Sequence, residues 1–326
     1  MEISLYHPEG FFGGDTLRSD RSGDFLTSPE VSSAFGETIA AYVAAEHRRV
    51  GDPFTLVEFA SGSGSLLQPL LATYPVKAMA IEVSPAARSA LGAALPDVEV
   101  RASLESREAP YCGVVIANEL IDNLPMAVAQ RIDGEWRERY VGVDGDVLTF
   151  VDAPPRASVD DWLARFAGNV PDGGWVEVQL AAAQWLRDVL AIVESGSIVL
   201  IDYGETTDGL LPRRDSGTLR TYRAHHLGPH PLDEPGETDI TADVNFSALE
   251  AVARACGATT RLMRQDDFLT ELGLRDRLSA IRREELDATR SGDELSRLKL
   301  RSDKIGIETI LHPRGLGDFR VLIASL

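Results

Sequence analysis

Residues 58–65, EFASGSGS, join a carboxylate to a run of small residues, and Glu82 follows 18 positions after Gly64. Small side chains let a backbone approach a ligand closely, and a helix opening behind them would offer its free N–H groups. A phosphate-gripping loop would need a Lys-Ser/Thr pair that is missing, and a dinucleotide loop would put its third glycine where Leu67 stands. An acid closing the next strand is where a nucleoside-binding α/β fold presents a carboxylate to ribose hydroxyls. The two signals together read as a nucleoside site; alone, each is equally a structural turn or a solvated surface acid. A third polar group, Asn118, Glu119, Asp122 and Asn123 within ANELIDNLP at 117–125, falls at the end of another apolar run. Open α/β sheets form their ligand crevice there, although Asn and Asp are also common turn residues.

The elements that must position these groups alternate. Residues 54–59 read as a strand entering the glycine turn, and 66–71 as a helix. A second apolar run at 78–83 leads into Ser84, Pro85 and an Ala-rich helix through Leu95, and 98–100 and 113–117 read as further short strands. This predicts a doubly wound α/β fold whose parallel sheet begins near residue 54. Upstream, Ser28, Pro29 and Glu30 make a good helix start, followed by Val31, Phe35, Ile39, Tyr42 and Val43 near helical spacing. Three runs between 128 and 151, joined by Asp133-Gly134 and Asp144-Gly145, predict an inserted antiparallel element. A helix over 178–194 and a strand over 197–203 return to the sheet. A long polar loop follows Gly204, then a helix over 246–256, and the charged helical stretch 266–303 reads as part of a cap. The expected organisation is 1–53 closing the ligand site, 54–127 with 175–326 as a core carrying a cap near 205–305, and 128–174 as a β-rich insertion.

Over its 326 residues the chain sets 32 Lys and Arg against 51 Asp and Glu, a formal charge of −19 that repels nucleic-acid phosphates and anionic lipid head groups. The same field would favour a cationic substrate, though a charged coat for solubility explains it as well. Cys112 and Cys256 lie far apart with no CxxC or Cys/His cluster, so neither a metal site nor a disulfide framework is expected, and a reducing cytoplasm fits. No run reaches the roughly 18 apolar residues of a membrane span. The start, MEISLYHPEG, has neither a basic leader nor an Arg-rich transit pattern.

Across about residues 6–323 the chain resembles the MidA-like class I S-adenosylmethionine-dependent methyltransferases, a family that includes a mitochondrial assembly factor methylating an arginine of a respiratory complex I core subunit. The resemblance rests on GDFLTSPEVSSAFGE at 23–37, IEVSP at 81–85 with Arg88, and ANELIDNLP at 117–125. It continues through WRER at 136–139, WVEVQL at 175–180, LIDYG at 200–204, GTLR at 217–220, PGETDIT at 235–241, VNF at 244–246 and GLGDFRVL at 315–322. Three departures stand out: Ala60 replaces a usual glycine, Leu120, Ile121 and Asn123 replace two aromatics and an alanine around Asp122, and Ala102 precedes Ser103 where an acid is common.

The resemblance implies a Rossmann-like class I methyltransferase sheet with helices on both faces, an inserted antiparallel element and a helical cap. It implies S-adenosylmethionine as cofactor and direct displacement, to which the protein contributes positioning and electrostatics. Gly62 and Gly64, beside Ala60, would admit the methionine part and Glu58 would hold its ammonium. Glu82 with Val83 would hold the ribose, Ser103 with Leu104 would lie near the adenine, and Thr27, Pro29 and Glu30 would close the pocket. An arginine acceptor needs carboxylates that orient the guanidinium and take a proton. Glu119 and Asp122 are the first choices, Asn118 an orienting partner, and Asp202 and Glu177 second choices. Tyr222 and His225 are substrate-contact candidates in the long loop, where His225 or His226 could serve a hydroxyl acceptor as base. Expected partners are a protein or peptide, a respiratory-complex subunit among them, or a small molecule, with homodimer formation left open. A small-molecule or peptide O- or N-methyltransferase and a non-catalytic assembly factor are the competing readings.

Overall fold

A computed structural model describes residues 1–14, 27–104, 110–223 and 226–326. The first strand, β1 (Thr55–Phe59), is buried along its whole length, as a central parallel strand covered on both faces must be. β2 (Ala78–Ile81), β3 (Glu99–Arg101) and β4 (Tyr111–Asn118) follow. An insertion then supplies β5 (Ala127–Ile132), β6 (Glu135–Asp144), β7 (Val147–Ala153) and β8 (Trp175–Val178). β9 (Val193–Asp202), β10 (Thr259–Arg264) and β11 (Arg320–Ser325) return to the main sheet, whose order is β10-β11-β9-β4-β1-β2-β3. β9, β4, β1, β2 and β3 run parallel, and β11 lies antiparallel to both its neighbours. The order reverses at β1 and β4, the switch point outside which such sheets bind ligands.

Strand alternation divides the core in two. Leu56, Ala80, Ile116 and Ile201 face helices Ala34–Val50 and Leu67–Thr73, whereas Val57, Phe59, Met79, Val115 and Leu200 face helices Leu180–Ile192 and Phe246–Ala255. Each fully buried aliphatic side chain contributes about 1.5–3 kcal/mol against the entropy of ordering it. The charged stretch expected as a cap forms helices Gln265–Glu271, Leu274–Ser291 and Glu294–Ile310. Leu274, Leu278, Ile281, Ile307 and Ile310 join the core on the Ala34–Val50 side, so this part covers a sheet face.

The insertion is a four-stranded antiparallel sheet, β7-β6-β5-β8, with helix Ala157–Phe166 against it. Asp133 and Gly134 both take positive φ, 52° and 78°, as a two-residue hairpin turn requires. Because β8 pairs with β5, the insertion reaches Val178, past the expected 174, and the following helix starts at Leu180 instead of 178. The polar stretch after Gly204 is more ordered than expected. Its strands Arg220–Arg223, His226–Leu227 and Asp239–Thr241 form a small antiparallel sheet, too short to leave a period-two signal. Among the described residues no helix is long and apolar enough to cross a membrane.

Candidate functional site

Glu58 on β1 lies opposite Ala80 on β2 and Ile116 on β4, so Glu82 and Asn118, two residues further along the flanking strands, emerge on the same sheet face. All three line one cavity beyond the carboxyl ends of the strands. Thr27, Pro29, Glu30, Ala60, Gly62, Val83 and Glu119 line it too, so ten of the residues expected in the site converge there. Thr27 and Glu30 form a reciprocal cap at the start of helix Ser28–Val31, with the Thr27 N–H donating to Glu30 Oε2 at 2.9 Å. The cap fixes the wall facing the glycine loop.

Glu82 ties that loop to β2. Its carboxylate accepts the Gly62 N–H and the Ser84 N–H, each at 2.8 Å. Gly64 does not line the cavity, which corrects its expected contact role. Its φ is 90°, and a Cβ there would sit 2.6 Å from Leu91 Cδ1, so it serves the turn and leaves room for helix Pro85–Ala94 to pack against the loop. Ala60, where the resemblance expects glycine, has φ 52°. A methyl side chain is comfortable at negative φ and costs about 1–2 kcal/mol in this left-handed region. Ala60→Gly should therefore raise stability by roughly 1 kcal/mol after glycine's own entropy cost, readable as a higher urea midpoint; a lowered midpoint would show that the methyl packs usefully.

The cavity's charged groups are all acids among the described residues: Glu30, Glu58, Glu82 and Glu119 line it, and no Lys, Arg or His does. Burial pushes Glu58 up from 4.5 to about 8, with the neighbouring Glu82 charge adding to the shift. Glu82 is also raised by burial, against the hydrogen bonds from Ser84 and Gly62. Glu119 stands well above the usual carboxylate range because it is desolvated and close to Asp122 and Glu30. Its backbone has φ 52°, held by a 2.8 Å hydrogen bond from its N–H to the Ile201 carbonyl, and Asn118 Nδ2 donates to its Oε1 at 3.2 Å. Two buried acceptors at the cavity, Glu58 Oε2 and Asn118 Oδ1, have no hydrogen-bond donor among the described residues. Such orphaned oxygens cost free energy unless a ligand supplies donors. They and the surrounding acids fit a cationic, N–H-bearing ligand, as S-adenosylmethionine is.

Several expected residues lie elsewhere. Asp122 is buried behind the cavity, where its Oδ2 accepts from the Thr241 hydroxyl at 2.6 Å and from the Tyr203 hydroxyl. Asp202, expected to contact substrate, is fully buried and accepts the N–H groups of Ile121, Asp122 and Tyr203, fixing the turn after β4. Glu177 is spent on Arg214 and the N–H groups of Thr218 and Leu219. Ser103 is exposed, Leu104 packs against the second core face, and Tyr222 pairs with Arg220, so none of these three lines the cavity. His225 lies outside the described residues. Ser61, Ser65 and Asn123, read from sequence only as members of the loop and the 117–125 stretch, line the cavity, and sequence reasoning missed Tyr6, Phe12, Leu66, Ser84, Ala87 and Leu120, which line it too. Tyr6 reaches it across 117 positions, donating its hydroxyl to the Asn123 carbonyl at 3.1 Å, a contact with no local signature. For Leu120 and Asn123 the departure from the family pattern was the available signal.

The protein arginine methyltransferase NDUFAF7, mitochondrial, of Xenopus laevis is 27% identical over 310 residues, covering 82% of this chain and 68% of that protein. Its Mus musculus counterpart is 27% identical over 363 residues, covering 98% and 78%. A crystal structure from Burkholderia thailandensis, bound to S-adenosyl-homocysteine, is 28% identical with a TM-score of 0.86, covering all of this chain and 86% of that one. The expected cytoplasmic location is overturned by the named location of the curated relatives, which is mitochondrial. Unpaired cysteines argue against an oxidising compartment and do not tell one reducing compartment from another. The family described as "Putative S-adenosyl-L-methionine-dependent methyltransferase" matches residues 38–263, and with the acid-lined cavity at the sheet's switch point the chain belongs to that family of methyltransferases.

Proposed function

We propose that the chain methylates an arginine side chain of a protein or peptide, with Glu119 as the carboxylate on the acceptor side. The observation that carries this reading is the cavity's lining of four carboxylates without a cation among the described residues, a surrounding suited to a guanidinium as well as to the donor. The name shared by the curated relatives agrees with it. S-adenosylmethionine supplies a methyl group on a sulfonium. Glu58 and Asn118 Oδ1 would accept from its ammonium, and Glu82, with one backbone N–H on each oxygen, retains lone pairs for the ribose hydroxyls. A guanidinium keeps its charge up to a pKa above 12, so the attacking nitrogen must lose a proton as its bond to the methyl carbon forms. Glu119 takes that proton; burial and the nearby acids make it a stronger base than an ordinary carboxylate. A hydroxyl acceptor would need a different base, and among the described residues no histidine lines the cavity.

Incubation of the full chain with methyl donor and a library of arginine-containing peptides, followed by mass spectrometry, tests the acceptor. Methyl groups on arginine support the reading, whereas methylation confined to lysine or hydroxyl side chains overturns it. Glu82→Ala should weaken donor binding by about 1–3 kcal/mol, through lost hydrogen bonds to a charged group and a loosened loop. Calorimetric titration reads the change directly, and an unaltered affinity removes Glu82 from the site.

A further inference from the structure

We infer that Asp202 is a positioning residue for the transfer step, holding Glu119 where it faces the cavity, so that its loss slows turnover without loosening the methyl donor. This rests on the acceptor-side role proposed above for Glu119. Asp202 is fully buried and lies outside the cavity lining, and among the described residues it pairs with no cation. Its two oxygens are given over to three backbone N–H groups.

A side chain here prolongs a strand pairing. β4 and β9 run parallel, with Asn118 opposite Ile201 near their ends. One residue on, the Glu119 N–H still donates to the Ile201 carbonyl at 2.8 Å. Asp202 then takes over. Its Oδ2 accepts the Ile121 N–H at 3.0 Å and the Asp122 N–H at 3.2 Å, at the opening of the 3-10 turn Ile121–Asn123, where backbone donors have no partner within the turn itself. Its Oδ1 accepts the Tyr203 N–H at 2.9 Å, which fixes the rotation of the carboxylate. Glu119 is thus held from both sides, by the Ile201 carbonyl at its own N–H and by Asp202 just beyond it, and its backbone between them has φ 52°. A non-glycine residue stays in that strained region only where its surroundings over-determine it. Neighbouring contacts act further along the turn: the Tyr203 and Thr241 hydroxyls hold the Asp122 carboxylate, and Asn123 Nδ2 donates to Asp239 Oδ1 at 2.7 Å. Glu119, Leu120 and Asn123 line the cavity, so a turn released at Ile121 and Asp122 shifts the wall on the acceptor side. Glu58 and Glu82, on β1 and just past β2, lie beyond β4 from Asp202, and Asn118 is still within the β4–β9 ladder, so the donor's contacts stay in place.

Asp202→Asn keeps the size and one accepting oxygen but turns an N–H2 group toward a backbone N–H, loosening the turn without opening a void. On an arginine peptide that the full chain methylates, kcat per folded molecule should fall about tenfold, within what a small misplacement of a reacting group costs. Calorimetric titration with S-adenosylhomocysteine should show unaltered affinity. A merely structural role would lower the urea midpoint and leave kcat per folded molecule as it was. In the Glu119→Gln background the same substitution should cost little more, because a residue acting through another adds nothing once that one is gone. Asp202→Ser, which can still accept one N–H, makes the same comparison if the asparagine variant does not fold. A parental kcat, a loss that multiplies with that of Glu119→Gln, donor affinity lost together with turnover, or failure of both variants to fold overturns the inference and leaves the methyl-transfer reading in place. A parental rate for Glu119→Gln overturns the role of Glu119, and this inference with it.

Discussion

Glu119→Gln should lower turnover at least a hundredfold at saturating methyl donor, the lower end of what a positioned general base contributes. Glutamine keeps the size and the hydrogen bond from Asn118 but cannot take a proton from a guanidinium. The fold should tolerate the change, because the substitution removes a desolvated acid from beside Asp122 and Glu30. With donor saturating, the loss falls on kcat and is separated from any change in donor affinity. Peptide methylation followed by mass spectrometry measures the rate, and a variant turning over at the parental rate would strip Glu119 of its role. The left-handed backbone at Glu119 sharpens the case. Such strain in a non-glycine residue costs of order 1–3 kcal/mol and collects at functional sites.

What could be read in advance follows from how local each determinant is. The α/β alternation, the hairpin at Asp133-Gly134 and the strand ends carrying Glu58, Glu82 and Asn118 are set by neighbours in sequence and stand close to where periodicity puts them, while the second hairpin turns at Gly145-Asp146, one residue past the expected Asp144-Gly145. Asp202 shows the limit. Its place at a strand end suggested substrate contact, yet on β9 its parity differs from that of Ile201, and the side chain turns to the backbone of the 121–122 turn. Glu177 was likewise a strand-end acid whose partner, Arg214, lies 37 positions away. Tyr6 and Phe12 enter the cavity because Leu5 and Phe11 pack with Ile240, a tertiary contact that no pattern near residue 6 announces. Ala60 takes the positive φ that a glycine there would adopt, since strand-to-loop geometry at the switch point sets the backbone whichever residue occupies it.

Glu58 should make the ligand-free protein lose stability as pH rises through the neutral range. Its folded pKa is about 8 against 4.5 for an unburied glutamate, so between those values the folded chain keeps a proton that the unfolded chain has released. The stabilising difference is complete below the lower value and is lost as pH climbs toward the upper one, at roughly 1.4 kcal/mol per pH unit at most. Glu58→Gln removes this dependence while keeping the shape. Urea unfolding of both proteins should show the wild type losing on the order of 3 kcal/mol relative to the variant between about pH 5 and about pH 8. Curves that stay parallel would mean that Glu58 is ionised in the folded chain without a ligand. The same linkage runs through binding: an ammonium placed against Glu58 Oε2 favours the carboxylate, so the donor should expel a proton when it binds below about pH 8. The binding heat should then vary with the ionisation enthalpy of the buffer, and Glu58→Gln should reduce that variation.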